Sequence, residues 1–250
     1  MPNMPLIPVV LFDMDGVLVD VSGSYRRAIQ ETVYYFTGRT VEPKTIQRYK
    51  NRGGFNDDWT LTHEIIGGFG IEVTRTRIVK EFQRRYRGED WDGFITEERA
   101  LIQTSTLNEL HQRGHILGIV TGRPRAEAHW ALDRFGWRGI FSLLVPQERQ
   151  DNRGKPDPFP LLYAMGILHA AGLSIPAEDS VYIGDSVDDM VAAREAGMLA
   201  IGFVPPYLNS NSHGLILRKH GAQLIATDSG ALPEIINSLG NFDCSPNRLK

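Results

Sequence analysis

The apolar positions of this chain follow two periods in turn. Val9-Val10-Leu11-Phe12 is an uninterrupted apolar run rich in branched residues, the pattern of a strand buried on both faces. Ile116–Val120, Phe141–Val145, Val181–Ile183, Leu199–Val204 and Gln223–Ala226 read as further strands. Between them Arg125–Phe135, Pro158–Ala171, Asp188–Ala196, Leu215–His220 and Leu232–Leu239 carry helical spacing, with Gly136, Gly172 and Gly197 as stops. Thr96–Arg113 reads as one more helix, with Thr96 as N-cap, acids in its first turn and Gly114 as its stop. Strict alternation of this kind predicts an α/β fold, a parallel sheet covered by helices on both faces through right-handed crossovers.

One stretch breaks the alternation. From Ser22 to Trp91 the spacing is helical only, with candidate helices at Arg26–Phe36, Asp57–Gly67 and Thr74–Arg87. An insertion after the first strand is thereby expected, with hinges at Val19–Ser22 and Glu89–Thr96. The chain divides into a core of residues 1–19 and 96–250 and a helical domain of residues 20–95. A length of 250 residues accommodates both. Hydrophobic content of 42% and charged content of 23% are those of an ordinary globular chain, and a net charge of −3 gives no general pull toward nucleic acid or anionic membrane. The single cysteine, Cys244, excludes an internal disulfide and fits a reducing compartment. No apolar run approaches the roughly 18 residues of a membrane helix, and Met1–Pro8 lacks the charged and apolar regions of a signal peptide. A cytoplasmic location is expected, and Asn241–Lys250 reads as a poorly ordered tail.

The chemistry gathers at strand ends. Asp13 stands where the first strand should stop, and Asp15 follows two residues later, on the same side of an extended backbone. Gly16 then frees the chain to turn. The strand at 116–120 runs into Thr121-Gly122, and the strand at 181–183 into Gly184-Asp185, while Gly154-Lys155-Pro156 sets a lysine in a loop between them. If these strands lie side by side, Asp13, Asp15, Thr121, Lys155 and Asp185 converge on the carboxyl edge of the sheet, where open α/β sheets bind ligands. Three carboxylates there repel one another by on the order of 4 kcal/mol per pair at about 4 Å and an effective dielectric of 20. One lysine does not offset them. The deficit calls for a divalent cation, and an all-oxygen donor set favours Mg2+ over zinc; the seven histidines show no ligand spacing.

The order and identity of these motifs resemble the haloacid dehalogenase-like superfamily, over roughly Val9 to Gly202. Asp13-Met14-Asp15-Gly16 matches its first motif, Thr121 its second, Lys155 its third, and Gly184-Asp185-Ser186-Val187-Asp188-Asp189 its fourth. The resemblance implies a Rossmann-like core with a small all-helical cap domain that closes over the site. It implies catalysis by Asp13, Asp15, Thr121 and Lys155: Asp13 attacks phosphorus, Asp15 protonates the leaving oxygen and then activates water, and Thr121 and Lys155 hold the phosphoryl oxygens. Mg2+ would be held by Asp13, the Asp15 backbone carbonyl and Asp185, with Asp189, or Asp188 in its stead, supporting from behind. The presence of Asp15 sets the chain apart from members of the family that cleave carbon–halogen bonds or phosphonates, and leaves phosphatase or phosphomutase.

Substrate choice is left to the insertion. In Lys50-Asn51-Arg52-Gly53-Gly54-Phe55-Asn56-Asp57-Asp58-Trp59, Lys50 and Arg52 can bind an anion, Gly53 and Gly54 let backbone approach a ligand, and Phe55 and Trp59 offer apolar walls. The same stretch reads locally as a helix–helix turn with Asn56 as N-cap. Gly122 and Arg123 follow Thr121 at the rim, and Arg123 either reaches the substrate or pairs with a nearby acid. Trp130 and Trp137 read as packing, and the basic run Arg75–Arg87 as a solvated helix face. The expected function is a Mg2+-dependent phosphatase acting on a small phosphorylated metabolite through an aspartyl-phosphate, with no nucleic-acid or membrane partner, as monomer or homodimer. The alternatives are a sugar phosphomutase (β-phosphoglucomutase-like) using the same intermediate and a catalytically silent phosphate-binding or scaffold protein. The loop also looks like a branch of the family associated with histidine biosynthesis, which makes histidinol phosphate a substrate to test.

Overall fold

The computed structural model describes residues 7–239; the expectations for the first six residues and for the tail Asn241–Lys250, Cys244 included, lie outside them. Six parallel strands form one sheet: β1 (Val9–Phe12), β4 (Ile116–Val120), β5 (Leu143–Val145), β6 (Ser180–Gly184), β7 (Leu199–Phe203) and β8 (Leu224–Ala226), in the order β5-β4-β1-β6-β7-β8. β1 lies between β4 and β6 with Phe12 level with both Ile119 and Ile183, so the three chains leave the sheet side by side. The strand order reverses beside β1, and this is the crevice where open parallel sheets take their ligands.

The all-apolar run of β1 has a direct structural reason. Val10 and Phe12 face Leu107 and Leu110 of α5 (Thr104–Gln112), Ala128 of α6 (Arg125–Arg134) and Ile236 of α10 (Leu232–Leu239). Val9 and Leu11 face Leu161 and Ala164 of α7 (Phe159–Ala170), Met190 of α8 (Val187–Glu195) and Leu217 of α9 (Ser210–His220). Helices thus cover both faces of the sheet, as the alternation of periods predicts. Among the described residues no helix is long and apolar enough to cross a membrane.

The chain leaves this core along β2 (Val19–Asp20) and returns along β3 (Arg99–Ala100), paired antiparallel as a short ribbon. Between them α1 (Tyr25–Thr37), α3 (Asp58–Gly67) and α4 (Arg75–Tyr86) pack together around Ile29, Val33, Leu61, Ile65, Ile78 and Phe82. Arg75, Arg77 and Arg84 of α4 are exposed and Arg85 is half-buried against Glu81, while Ile78, Phe82 and Tyr86 are buried. A fourth helix, α2 (Pro43–Lys50), goes beyond the three that the pattern predicts. Only Ile46 of its eight residues is buried, so it carries little periodic signal, and its one mark in the sequence is Pro43 in the first turn.

Two local expectations are corrected. Thr96–Arg113 is not one helix: a 3-10 turn at Phe94–Glu97 and β3 precede α5, and the Thr96 hydroxyl donates to the Gly93 carbonyl at 2.8 Å instead of capping. Tertiary pairing outweighs local propensity there, because Glu98 is drawn inside the protein. At α3 the N-cap is Asp57, whose carboxylate accepts the Trp59 N–H at 2.9 Å, and not Asn56.

Candidate active site

A cleft of about 690 Å3, its open mouth included, lies over the carboxyl end of β1 between the sheet and the helical insertion. Asp13, Asp15, Gly122, Arg123 and Asp185 line it from the core, and Arg26, Lys50, Asn56, Asp58 and Trp59 from the insertion. Asp13 directly continues β1, its N–H donating to the Ile183 carbonyl at 2.8 Å. Gly16 takes φ +77°, and a Cβ there would overlap the Asp185 carboxylate. A glycine is therefore what lets the first motif turn while staying against the fourth.

Lys155 is the hub on the core side. Its side chain is fully buried, with Nζ 2.9 Å from Asp13 Oδ1, 2.6 Å from Asp189 Oδ1 and 2.7 Å from the Tyr182 hydroxyl. Burial alone would lower the lysine's pKa, but the two carboxylates outweigh it and hold the ammonium charged. Asp189 is fixed in return: its Oδ2 accepts the Ser186 N–H at 3.0 Å and hydroxyl at 2.7 Å, closing a capping box at the start of α8. The lysine and these bonds hold the Asp189 carboxyl below the usual range against the opposing effect of burial.

The remaining acids are less well compensated. Burial pushes Asp13 up to about 7, with Lys155 opposing and Asp189 and Asp15 adding to the rise. Asp185 is pushed well above the carboxylate range by burial and then by Asp189 and Asp13. Among the described residues no cation pairs with the Asp185 carboxylate, though its backbone carbonyl is bonded by His213 Nε2 at 2.7 Å. One oxygen each from Asp13, Asp185 and Asp189 lie within 4.8 Å of one another. Both Asp189 oxygens are already bonded to the protein, so Asp13 and Asp185 are the open pair. Asp185 has no cation beside it and Asp13 shares its lysine with Asp189, so this close, all-oxygen pair fits a hard divalent cation.

Asp15 belongs to a second network. Its Oδ1 accepts Arg123 Nε at 2.7 Å. Arg123, with no exposed side-chain surface, also forks onto Glu98, Nη1 to Oε2 and Nη2 to Oε1, each at 3.0 Å. Glu98 accepts in addition the Ser24 hydroxyl at 2.9 Å and the Tyr86 hydroxyl at 3.0 Å. Of the two readings open for Arg123, the structure therefore displays the acid pairing, while the arginine still borders the cleft.

The other anticipated residues divide. Thr121 is fully buried at the end of β4; its N–H donates to the Val145 carbonyl at 3.0 Å and its hydroxyl accepts the Arg123 N–H at 3.1 Å. Lys50 reaches the cleft and pairs there with Asp58 at 2.7 Å. Gly53 and Gly54 turn onto Asp188, whose Oδ1 accepts the Gly54 N–H at 2.7 Å and so ties the insertion loop to α8. Arg52 is exposed and lies over the Tyr49 ring, outside the cleft. Trp137 is packed inside with its Nε1–H donating to Thr104, and Trp130 stacks on Trp91.

Three participants go beyond the sequence reading: Glu98, Arg26 and Tyr207. Arg26 does carry a signal, a cation at the spacing of Ile29 and Val33 on the apolar side of α1. Tyr207 lies in the loop after β7, at the same sheet edge as the acids.

A family model described as haloacid dehalogenase-like hydrolase matches residues 10–203. The phosphoglycolate phosphatase of Vibrio cholerae serotype O1 is 33% identical over 235 residues, covering 93% of this chain and 98% of that protein. The imidazoleglycerol-phosphate dehydratase of Phytophthora nicotianae is 31% identical over 255 residues; the match covers 96% of this chain but only 55% of that protein's length. Among solved structures, a predicted phosphoglycolate phosphatase from Haemophilus somnus 129PT superposes with a TM-score of 0.74 at 21% identity, covering 93% of this chain and 99% of that one.

Proposed function

This chain belongs to the haloacid dehalogenase-like hydrolases and hydrolyses phosphoric monoesters, and from that premise we propose a Mg2+-dependent phosphatase in which Asp13 is the nucleophile. The observation that carries the reading is the Lys155 ammonium held between Asp13 and Asp189, beside an Asp185 carboxylate that has no cationic partner among the described residues. Lys155 fixes Asp13 Oδ1 and leaves Oδ2 to attack phosphorus. The result is an aspartyl-phosphate, which splits a very slow displacement into two easier ones. Asp15, turned by Arg123 with its second oxygen free, donates a proton to the leaving oxygen and later takes one from the attacking water. Thr121, Gly122 and Lys155 border the phosphoryl group. Asp13, the Asp15 carbonyl and Asp185 would hold Mg2+, which supplies charge neutralisation at the phosphoryl oxygens.

In this reading helices α1–α4, within residues 20–95, are a cap supplying substrate contacts, and a single cysteine suits the reducing cytoplasm. The name of the Vibrio relative puts 2-phosphoglycolate first among substrates to try. The Gly53–Trp59 loop, by its resemblance, keeps histidinol phosphate in the panel, and the name of the Phytophthora relative adds imidazoleglycerol phosphate. The test is phosphate release across that panel with and without Mg2+. Wild type should turn over only with the metal, and folded Asp13→Asn should lose turnover by at least about 10⁴-fold, the scale for removing a nucleophile. Substantial release by Asp13→Asn, or in excess chelator, would end the covalent mechanism.

A further inference from the structure

The polar groups on the two ends of the cleft are satisfied to very different degrees. Among the described residues, three donors that line it are buried with no hydrogen-bond partner: Arg26 Nε, Trp59 Nε1 and the Tyr207 hydroxyl. Arg26 is 6% exposed, packs its guanidinium 5.0 Å from the centre of the Tyr207 ring, and bonds only the neutral Gln47 Oε1 at 2.6 Å. The other cations of the cleft are engaged, Lys50 with Asp58 and Arg123 with Asp15 and Glu98. Arg26 is thus a buried charge with no carboxylate partner among the described residues, and buried charges are paired unless a ligand pairs them.

We infer that Arg26, Trp59 and Tyr207 form a subsite for a carboxylate at the non-reacting end of the substrate, so that the preferred substrates are small phosphate monoesters of hydroxy acids. One monoanion matches the one cation of the cleft left without a carboxylate among the described residues, and the in-plane lone pairs of a carboxylate suit N–H and O–H donors that line the same cleft. A second phosphate would bring about two negative charges to a place with one cation to spare. Arg26 and Trp59 come from the insertion and Tyr207 from the core, so the carboxylate would bridge the two walls of the cleft.

The inference rests on the phosphatase reading, and its test separates the two. kcat/KM is measured in Mg2+ for 2-phosphoglycolate, ethyl phosphate and 2-aminoethyl phosphate. Wild type should favour the carboxylate over the neutral ester on the order of 50-fold, the scale of a charge-assisted hydrogen bond, and disfavour the amine. Arg26→Gln should lower that preference by about the same factor, and Arg26→Lys, which keeps the charge, should retain part of it. No preference in wild type, a preference for the amine, or equal losses on all three esters in Arg26→Gln would overturn the subsite. Histidinol phosphate is the fourth ester: release from it alone would overturn the subsite, and if wild type releases phosphate from none of the four, the phosphatase reading fails by itself. Calorimetric titration of the same esters into Asp13→Asn, with and without Arg26→Gln, then reads the subsite directly, and a preference for 2-phosphoglycolate independent of Arg26 overturns it.

Discussion

Two buried cations flank the cleft, and they are wired differently. Lys155 holds Asp13 through partners drawn entirely from the core, Asp189 and Tyr182. Arg123 holds Asp15 through Glu98, and Glu98 is gripped by Ser24 at the edge of the insertion and Tyr86 inside it. Asp13 is oriented by the core alone. Asp15 is oriented by a chain of bonds that runs into the helices, so any displacement of those helices is transmitted to Asp15 while Asp13 keeps its setting. In the proposed mechanism this would separate a rigid step, attack at phosphorus by Asp13, from one that depends on the insertion, proton transfer by Asp15.

The largest effect is expected where the core network is cut. Lys155→Met leaves Asp13 and Asp189 buried with no cation between them. Breaking a buried pair from one side costs about 3–5 kcal/mol of folding stability, and loss of a charge beside the transferred group costs about 10³-fold in turnover. Denaturant melts and single-turnover kinetics measure the two separately. Turnover within tenfold of wild type would mean that Asp13 does not need this lysine, and the contrast between the networks would lose one side.

A smaller and more selective loss is expected on the other side. Arg123→Met alone strands Glu98, whose carboxyl burial already pushes upward against the pull of Arg123. Pairing it with Glu98→Gln removes both charges and keeps an acceptor for Ser24 and Tyr86. That double variant should fold within about 1–2 kcal/mol of wild type, yet lose about 10²-fold in turnover of esters with poor leaving groups, the scale of general acid catalysis. An aryl phosphate that departs without a proton should lose far less in its phosphorylation step. Equal losses across leaving groups would show that Arg123 does not act through Asp15.

The two networks also differ in how much of them the sequence discloses. Asp13 is legible because a strand buried on both faces has no reason to end in an acid unless the acid is used. Lys155 is legible because Gly154 and Pro156 mark its loop, and Asp189 because Gly184–Asp189 resembles the family's fourth motif. Those signals are local. Glu98 sits in what reads as the first turn of a helix, yet it is held inside by Arg123, 25 positions along the chain, and by Ser24 and Tyr86, where the chain forms a turn and a strand paired with β2 instead. Arg26 shows in the sequence only as a cation on the apolar side of α1, and Tyr207 is unremarkable until α1 and the loop after β7 come together. The sheet and its acids follow from short-range pattern; the wall that faces the substrate follows from contacts between segments far apart in sequence, which no periodicity records.

The smallest effect concerns two cations that the sequence presents as equals. Lys50 and Arg52 are two positions apart, yet Lys50 enters the cleft and neutralises Asp58, while Arg52 lies outside on the Tyr49 ring. Arg52→Ala should change kcat/KM by no more than about twofold, as exposed substitutions of this kind do. Lys50→Ala leaves Asp58 unpaired in a cleft that must admit a phosphate dianion, and the repulsion should raise KM about tenfold, the order of one charge pair at effective dielectrics between protein surface and water. Because the harm comes from the stranded carboxylate, Lys50→Ala/Asp58→Asn should recover most of the loss, which loss of a direct lysine–substrate contact would not allow. If the double variant stays as poor as Lys50→Ala, the lysine itself holds the substrate. If Arg52→Ala proves as damaging as Lys50→Ala, the loop adopts a second arrangement during turnover in which the outer arginine enters the cleft.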